Sequence, residues 1–248
     1  MAARTIDLNC DVGELPGSEG RIADLDLIAL VSSVNIACGA HAGDETIMRA
    51  TISAALASGA VIGAHPSYVD REGFGRRSYA QDAGSAAQAL RAQVETLRAI
   101  AASLGAHVAH VKPHGALYND AAADPDLAAA LAGAVREVDP SLVLVGLAGG
   151  ALLQAGHAAG LRVAAEGFCD RAYEQDGSLR SRALPDSVFT DPDFAARQAV
   201  TLALRGDIAT LCIHGDEPTA VAAARAVRAA LTRSGVSIVC PWARKTTV

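Results

Sequence analysis

Histidine, lysine and carboxylate residues recur in five short stretches of this chain: NCDVGE, NIACGAHAGD, GAHPSYVDREGFGRR, HVKPHGALYN and CIHGDEP. Each stands just past an apolar run that reads as a buried strand. Polar groups gathered at the carboxyl ends of successive parallel strands are how an α/β barrel builds an active site. The residue types are those of acid–base chemistry with anion binding, so the chain reads as an enzyme.

In LNCDVGE the strand runs out into Asn9, Asp11 and Glu14, and Asp11 is the expected general base, although Asp and Gly are also ordinary turn residues. In NIACGAHAGDE, His41 sits between two small residues and suits a proton carrier or metal ligand. Asp44 reads first as a helix N-cap, a role compatible with binding an anion at the same helix start. GAHPSYVDREGFGRR supplies His65 and then Asp70, Arg76 and Arg77; Arg76 is the expected anion binder, set against a pairing with Asp70 or Glu72. In HVAHVKPHGALYN, Pro113 stops the strand and leaves Lys112 and His114 at its end, with Tyr118 and Asn119 one turn later. A lysine in an apolar strand is expensive to bury unless it meets an anion, so Lys112 reads as catalytic or substrate-binding. His107, His110 and His157 read as structural or exposed. Glu166 ends an apolar strand and is followed by Asp170 and Arg171, which can also simply neutralise each other. CIHGDEP adds His214 and Asp216, with Asp216 or Glu217 also placed to cap the next helix.

The expected catalytic set is therefore Asp11, His41, His65, Lys112, His114, Glu166 and His214. The expected substrate-binding set is Asn9, Asp44, Arg76, Tyr118, Asn119, Asp170, Arg171 and Asp216. His, Asp and Glu converge in these stretches, but no HExxH motif is present, and whether a divalent metal is bound stays open. GxSxG is absent, as is the GxxxxGK[ST] loop of Walker-type nucleotide sites, and GFGRRS is not a dinucleotide fingerprint. Cys10, Cys38 and Cys212 lie in apolar strands where a small thiol packs well. Activated water is the expected nucleophile.

Apolar runs near 5–9, 33–37, 60–64, 107–112, 142–147, 162–166 and 208–213 give seven strands, and SIVC at 237–240 is available as an eighth. Ala-rich segments at 45–58, 84–104, 124–137, 192–205 and 217–233 carry helical spacing. This βα alternation predicts a parallel sheet covered by helices that closes into a barrel of about seven strands, with an open doubly wound sheet as the alternative. Long loops at 65–81 and 167–191 are expected to cover the substrate. No linker or repeat divides the 248 residues, so residues 1–248 read as a single domain.

The chain has 21 basic against 27 acidic residues, which disfavours general affinity for nucleic acid or anionic membrane. Five cysteines without CxxC spacing argue against a disulfide framework or structural zinc. With no signal-like N-terminus and no apolar run long enough to span a bilayer, a cytoplasmic protein is expected.

NCDVGE, NIACGAHAGD, GAHPSYVDREGFGRR, VKPHGALYN, EGFCDRAY with GSLRSR, and CIHGDEP occur in an order and spacing that closely resemble the LamB/YcsF family, from about residue 5 to 235. The resemblance implies a distorted seven-stranded (β/α) TIM-like barrel of the glycoside hydrolase/deacetylase type. It also implies ATP-dependent opening of 5-oxo-L-proline to L-glutamate, with ATP as co-substrate together with Mg, in a complex with two partner subunits, B and C. Ala40 stands where many members carry a bulky aromatic and Cys169 where a small Ala is common, which bears on pocket shape. On this reading Asp11 or Glu166 takes a proton from water, His41 or His214 protonates the leaving nitrogen, and Lys112 with Arg76 or Arg171 holds anionic groups. Lys112→Met is then expected to abolish turnover with the fold intact. The alternatives are a stand-alone metal-dependent deacetylase or amidohydrolase, and a noncatalytic binding subunit.

Overall fold

The β1 strand (Arg4–Val12) alternates: Ile6, Leu8, Cys10 and Val12 belong to the main apolar core, while the buried Asp7, Asn9 and Asp11 lie between them. Successive strand residues face opposite sides of a sheet, so one face of β1 is apolar and the other polar. β2 (Ser33–Ala37) repeats the pattern, with Val34 and Ile36 in the core and Ser33 and Asn35 buried and polar. The computed structural model describes residues 4–15, 17–79 and 82–243, so positions 80–81 of the expected covering loop and both ends of the expected 1–248 domain lie outside the described residues.

The ring continues through β3 (Val61–His65), β4 (His110–Val111), β5 (Val143–Leu147), β6 (Arg162–Phe168) and β7 (Thr210–Ile213). All its pairings are parallel, in the order β2-β3-β4-β5-β6-β7-β1, and β1 also pairs with β2 through Asn9↔Ser33 to Val12↔Ile36. That last ladder closes the barrel and excludes the open doubly wound sheet. The expected 107–112 strand shrinks to two residues, because Pro113 ends it and only His110 and Val111 pair with β3 and β5. β8 (Val236–Ile238) is not a barrel stave: it pairs with the amino-terminal Arg4–Ile6 stretch of β1. Beyond it, Cys240 and Trp242 join Ala109, Val143, Val145 and Ala164 in a separate apolar cluster, and Trp242 Nε1 donates to His110 Nδ1 at 3.2 Å.

The outer layer consists of α1 (Gly17–Ile28), α2 (Glu45–Ser58), α3 (Ala83–Ser103), α4 (Gly115–Ala123), α5 (Pro125–Val138), α6 (Ala151–Ala158), α7 (Pro192–Arg205) and α8 (Ala220–Arg233). Of these, α1, α4 and α6 were not expected; they are short or weakly amphipathic and are held by packing on the barrel. The side chains of Asp44, Asp82, Asp124 and Asp191 accept backbone N–H bonds at the starts of α2, α3, α5 and α7. Such caps contribute about 1 kcal/mol each. No helix among the described residues is long and apolar enough to cross a membrane.

Candidate active site

The polar face of the strands turns into the barrel and forms a hydrogen-bonded column. At its base the buried Asp7 accepts from Ser32, Ser33 and Thr210 at 2.6–2.7 Å. Burial raises its pKa, against the pull of these hydroxyls. One layer up, Asn9 donates to Glu166 Oε1 (3.0 Å) and Thr210 (2.6 Å), and Asn35 donates to Asn9 Oδ1 and Asp11 Oδ1, both at 2.8 Å. His110 meets Asn35 Oδ1 at 2.9 Å. It has room only because residue 63 is glycine: a Cβ there would fall 2.0 Å from His110 Nε2.

Lys112 is buried in this column. Its ammonium lies 2.9 Å from Asp11 Oδ1, 3.0 Å from Glu166 Oε1 and 3.0 Å from Cys212 Sγ, with the Phe168 ring 5.3 Å away. Its hydrogen bonds go to Asp11 Oδ1, Cys212 Sγ and, at 3.4 Å, Asn9 Oδ1, and the Glu166 carboxylate lies against it as a counter-ion, so Lys112 holds the two carboxylates together at the cavity wall. Burial would lower its pKa, but Asp11, Cys212 and Glu166 raise it well above the ordinary lysine value. Burial opposes ionisation of Asp11 too, yet the charges of His65 and Lys112 hold it well below the usual carboxylate range.

Around the rim of β1, β2, β3 and β4 stand Glu14 and three histidines. His41 Nε2 lies 2.9 Å from Glu14 Oε1 and its Nδ1 3.0 Å from Ser67. His41 and His114 stack with centroids 3.8 Å apart and planes 2° apart. His65 Nδ1 meets the Lys112 carbonyl at 2.7 Å, and its Nε2 lies 3.0 Å from His114 Nδ1 and 3.4 Å from Asp11 Oδ2. His114 Nε2 meets the Phe74 carbonyl at 2.9 Å. That carbonyl is aimed by a left-handed turn at Phe74 (φ 54°) and Gly75 (φ 65°), and a Cβ on Gly75 would press on His114 at 2.9 Å. A non-glycine residue held in this region is strain of the kind that functional sites retain. Burial lowers the His41 pKa to about 4, whereas for His65 the Asp11 charge overcomes burial and raises it.

On the opposite side, Asp170 accepts from the His214 backbone N–H (2.9 Å) and from Nδ1 (3.0 Å), and His214 stacks on Phe168. Nδ1–H is thereby committed, and Nε2 is the nitrogen left for proton transfer. Burial works against the Asp170 carboxylate, but His214 keeps its pKa below the ordinary value.

These groups border a cavity of about 840 Å³ lined by Asp11, His65, Lys112, His114, Tyr118 and His214, among others. Arg76, Arg171 and Arg182 also line it. Arg76 pairs with Asp216, while Arg171 is spent on the carbonyls of Ser187 and Arg180, holding the 172–188 loop. Burial and the neighbouring Arg182 and Arg76 lower the Arg171 pKa to about 10, the mark of cations crowded together. The buried Tyr118 hydroxyl stands beside the Glu166 carboxylate, and burial together with that charge pushes the Tyr118 pKa well above the ordinary tyrosine value.

Asn9, Asp11, His41, His65, Lys112, His114 and Glu166 thus fall in one network, and His214 with Asp170 faces it. Arg76, Tyr118, Asn119 and Arg171 line the cavity, and Asp216 serves Arg76. Asn9, Glu166 and His41 stand behind the lining. Asp44 does not reach it: it is exposed and caps α2 through Ile47 N at 2.8 Å, so its expected substrate contact is corrected to a structural one. Arg77, not Arg76, takes Asp70. The sequence reading left Glu14, Asn35, Cys212 and Arg182 out of the site sets. The alternation of SVNIA signals that Asn35 points inward, and Glu14 sits in the same motif as Asp11.

The LamB/YcsF family model matches residues 6–246. The 5-oxoprolinase A subunit of Heliobacterium modesticaldum is 46% identical over 245 residues, covering 94% of this chain and 96% of that protein. That of Tolumonas auensis is 49% identical, covering 94% and 98%. A lactam utilization protein of Thermus thermophilus superposes with a TM-score of 0.86 at 39% identity, over 95% of this chain and 99% of that one. A T48 deacetylase aligns with a TM-score of 0.51 at 15% identity, over 96% and 88%, a likeness of fold alone. With the motif order, the closed seven-stranded barrel and near full-length similarity in agreement, the chain belongs to the LamB/YcsF family.

Proposed function

We propose that this chain is the A subunit of an ATP-dependent 5-oxoprolinase, a hydrolase that opens the lactam of 5-oxo-L-proline to L-glutamate as ATP is cleaved to ADP and phosphate. In this reading it works with subunits B and C, in the cytoplasm where magnesium-bound ATP is at hand. The names borne by its relatives support the substrate and the role within a complex. The observation that carries the reading is one cavity joining two cationic side chains, Arg76 and Arg182, to a floor where the Asp11 carboxylate faces a histidine oriented by Asp170.

A lactam is a stable amide, and phosphoryl transfer from ATP to its carbonyl oxygen activates it for attack. This chain contributes the remainder. The arginines hold the substrate carboxylate and any phosphate, for which the guanidinium fork is suited. Asp11, kept ionised by His65 and Lys112, orients a water against the carbonyl carbon. As that oxygen bonds to carbon and the C–N bond breaks, His214 Nε2 takes a water proton and passes it to the departing nitrogen, leaving γ-glutamyl phosphate, whose acyl–phosphate bond a second water cleaves to give glutamate and phosphate. His214 is favoured over His41 because His41 lies behind His114 and does not line the cavity. Likewise Asp11 is favoured over Glu166, which is fully buried below.

The test is glutamate release from 5-oxoproline with and without ATP, for this chain alone and mixed with subunits B and C. ATP-dependent glutamate in the mixture, abolished by His214→Asn, is expected. A mixture that assembles but releases no glutamate would overturn the proposal and turn attention to other cyclic or N-acyl amides.

A further inference from the structure

We propose that Glu14 Oε1, His65 Nε2 and His114 Nδ1 form a binding site for one divalent first-row transition ion, of the class of Zn²⁺, Co²⁺ or Mn²⁺. This goes beyond the proposed function and does not depend on it. The first argument is the direction of the ring protons. A carbonyl oxygen only accepts, so His65 carries its proton on Nδ1, facing the Lys112 carbonyl, and His114 carries its proton on Nε2, facing the Phe74 carbonyl. With both rings neutral, the lone pairs of His65 Nε2 and His114 Nδ1 point at each other across 3.0 Å, with Glu14 Oε1 beside them and Asp11 Oδ2 3.4 Å from His65 Nε2. Three acceptors converge in a buried place. A single proton relieves one edge of that triangle, whereas a cation relieves all three.

The second argument is the size of the triangle. Its edges are 3.0 Å between the two histidines, 3.2 Å from Glu14 to His114 and 3.7 Å from Glu14 to His65. Tetrahedral coordination at roughly 2.0–2.2 Å places ligand atoms about 3.3–3.6 Å apart. The apices are therefore already near the spacing a metal demands.

The third argument is what stands behind the ligands. A metal-bound histidine characteristically gives its remote N–H to a carbonyl or carboxylate, and a ligating carboxylate is itself hydrogen-bonded. Both histidines have their carbonyl, and His41 Nε2 lies 2.9 Å from the same Glu14 Oε1. His65 and His114 also line the cavity, so the open coordination position lies on the substrate side. A second convergence, Asp11, Cys212 and His214, is already served by a cation, since the Lys112 ammonium is 2.9 Å from Asp11 and 3.0 Å from Cys212 Sγ.

The test uses the full chain, stripped with a chelator, reloaded separately with Zn²⁺ and Co²⁺, desalted and analysed for metal. About one equivalent per chain is expected, with visible Co²⁺ bands lacking thiolate charge transfer. Glu14→Gln and His114→Gln are expected to lose at least nine-tenths of the metal while keeping the wild-type circular dichroism, and Cys212→Ser to retain it. Should either variant not fold, the wild-type Co²⁺ spectrum and stoichiometry decide alone. Folded wild-type protein that retains no metal after reloading, metal content unchanged in both ligand variants, or a cobalt–thiolate band lost in Cys212→Ser would each overturn the site.

Discussion

Asp170 grips His214 twice, with Oδ2 2.9 Å from its backbone nitrogen and Oδ1 3.0 Å from Nδ1. One carboxylate therefore sets both the path of the chain after β7 and the tautomer of the imidazole. Asp170→Asn is expected to lower kcat for glutamate release by roughly 10²–10⁴-fold, with little change in KM. An equal fall in affinity for 5-oxoproline would instead make Asp170 part of the substrate site.

Lys112→Met affects more than turnover. It strands the Asp11 and Glu166 carboxylates in the barrel without their shared cation, a loss worth about 3–5 kcal/mol of stability. The expectation from sequence that the fold survives intact is therefore revised. Urea titration should show a much lower midpoint for Lys112→Met, partly restored when Asp11→Asn and Glu166→Gln are added. A wild-type midpoint in the single variant would mean the carboxylates find solvent after all.

His110 makes stability depend on pH. Its Nδ1 accepts from Trp242 and its Nε2 donates to Asn35, so the neutral ring is the one that fits, and burial depresses its pKa from 6.5 to about 3. The unfolded chain binds a proton as pH falls through 6.5 and the folded chain does not. The contribution is thus full above pH 6.5 and lost progressively toward pH 3, with an upper limit on the order of 3–5 kcal/mol. Urea midpoints measured from pH 7 to 4.5 should fall more steeply in the wild type than in His110→Gln. Parallel curves would assign the acid sensitivity to other groups.

Two glycines with opposite surroundings give a paired prediction. A methyl group on Gly63 would collide with the His110 ring, so Gly63→Ala should destabilise by about 1–3 kcal/mol or more. Gly133, inside α5, has nothing within 4 Å of an added Cβ, and Gly133→Ala should stabilise by about 0.5–1 kcal/mol. Thermal melting of the two proteins should move in opposite directions, and a tolerated Gly63→Ala would show that His110 can vacate its place.

The apolar runs marked the seven staves, and Pro113 marked a strand end, because these signals act within a few residues of chain. The functional motifs were visible for the same reason: a polar cluster at the end of an apolar strand conflicts with burial unless something there uses it. The polar barrel interior was also written in the alternation of β1 and β2, though a reading of continuous apolar strands passed over it.

Closure was not local. It depends on Asn9 to Val12 meeting Ser33 to Ile36 after the other staves have gone round, and the β8 segment joins β1 without entering the ring. The roles within the site were equally long-range. Lys112 meets Asp11, Glu166 and Cys212, residues 101, 54 and 100 positions away, and so holds the two carboxylates together. His65 and His114, 49 residues apart, face each other because the Lys112 and Phe74 carbonyls take their other nitrogens. By itself the sequence determined the staves, the helices α2, α3, α5, α7 and α8, the strand-end motifs and the family. Only the tertiary structure decided which charges neutralise one another and which are left facing the cavity, because a polar side chain's function in a low-dielectric interior is set by its partners across the barrel.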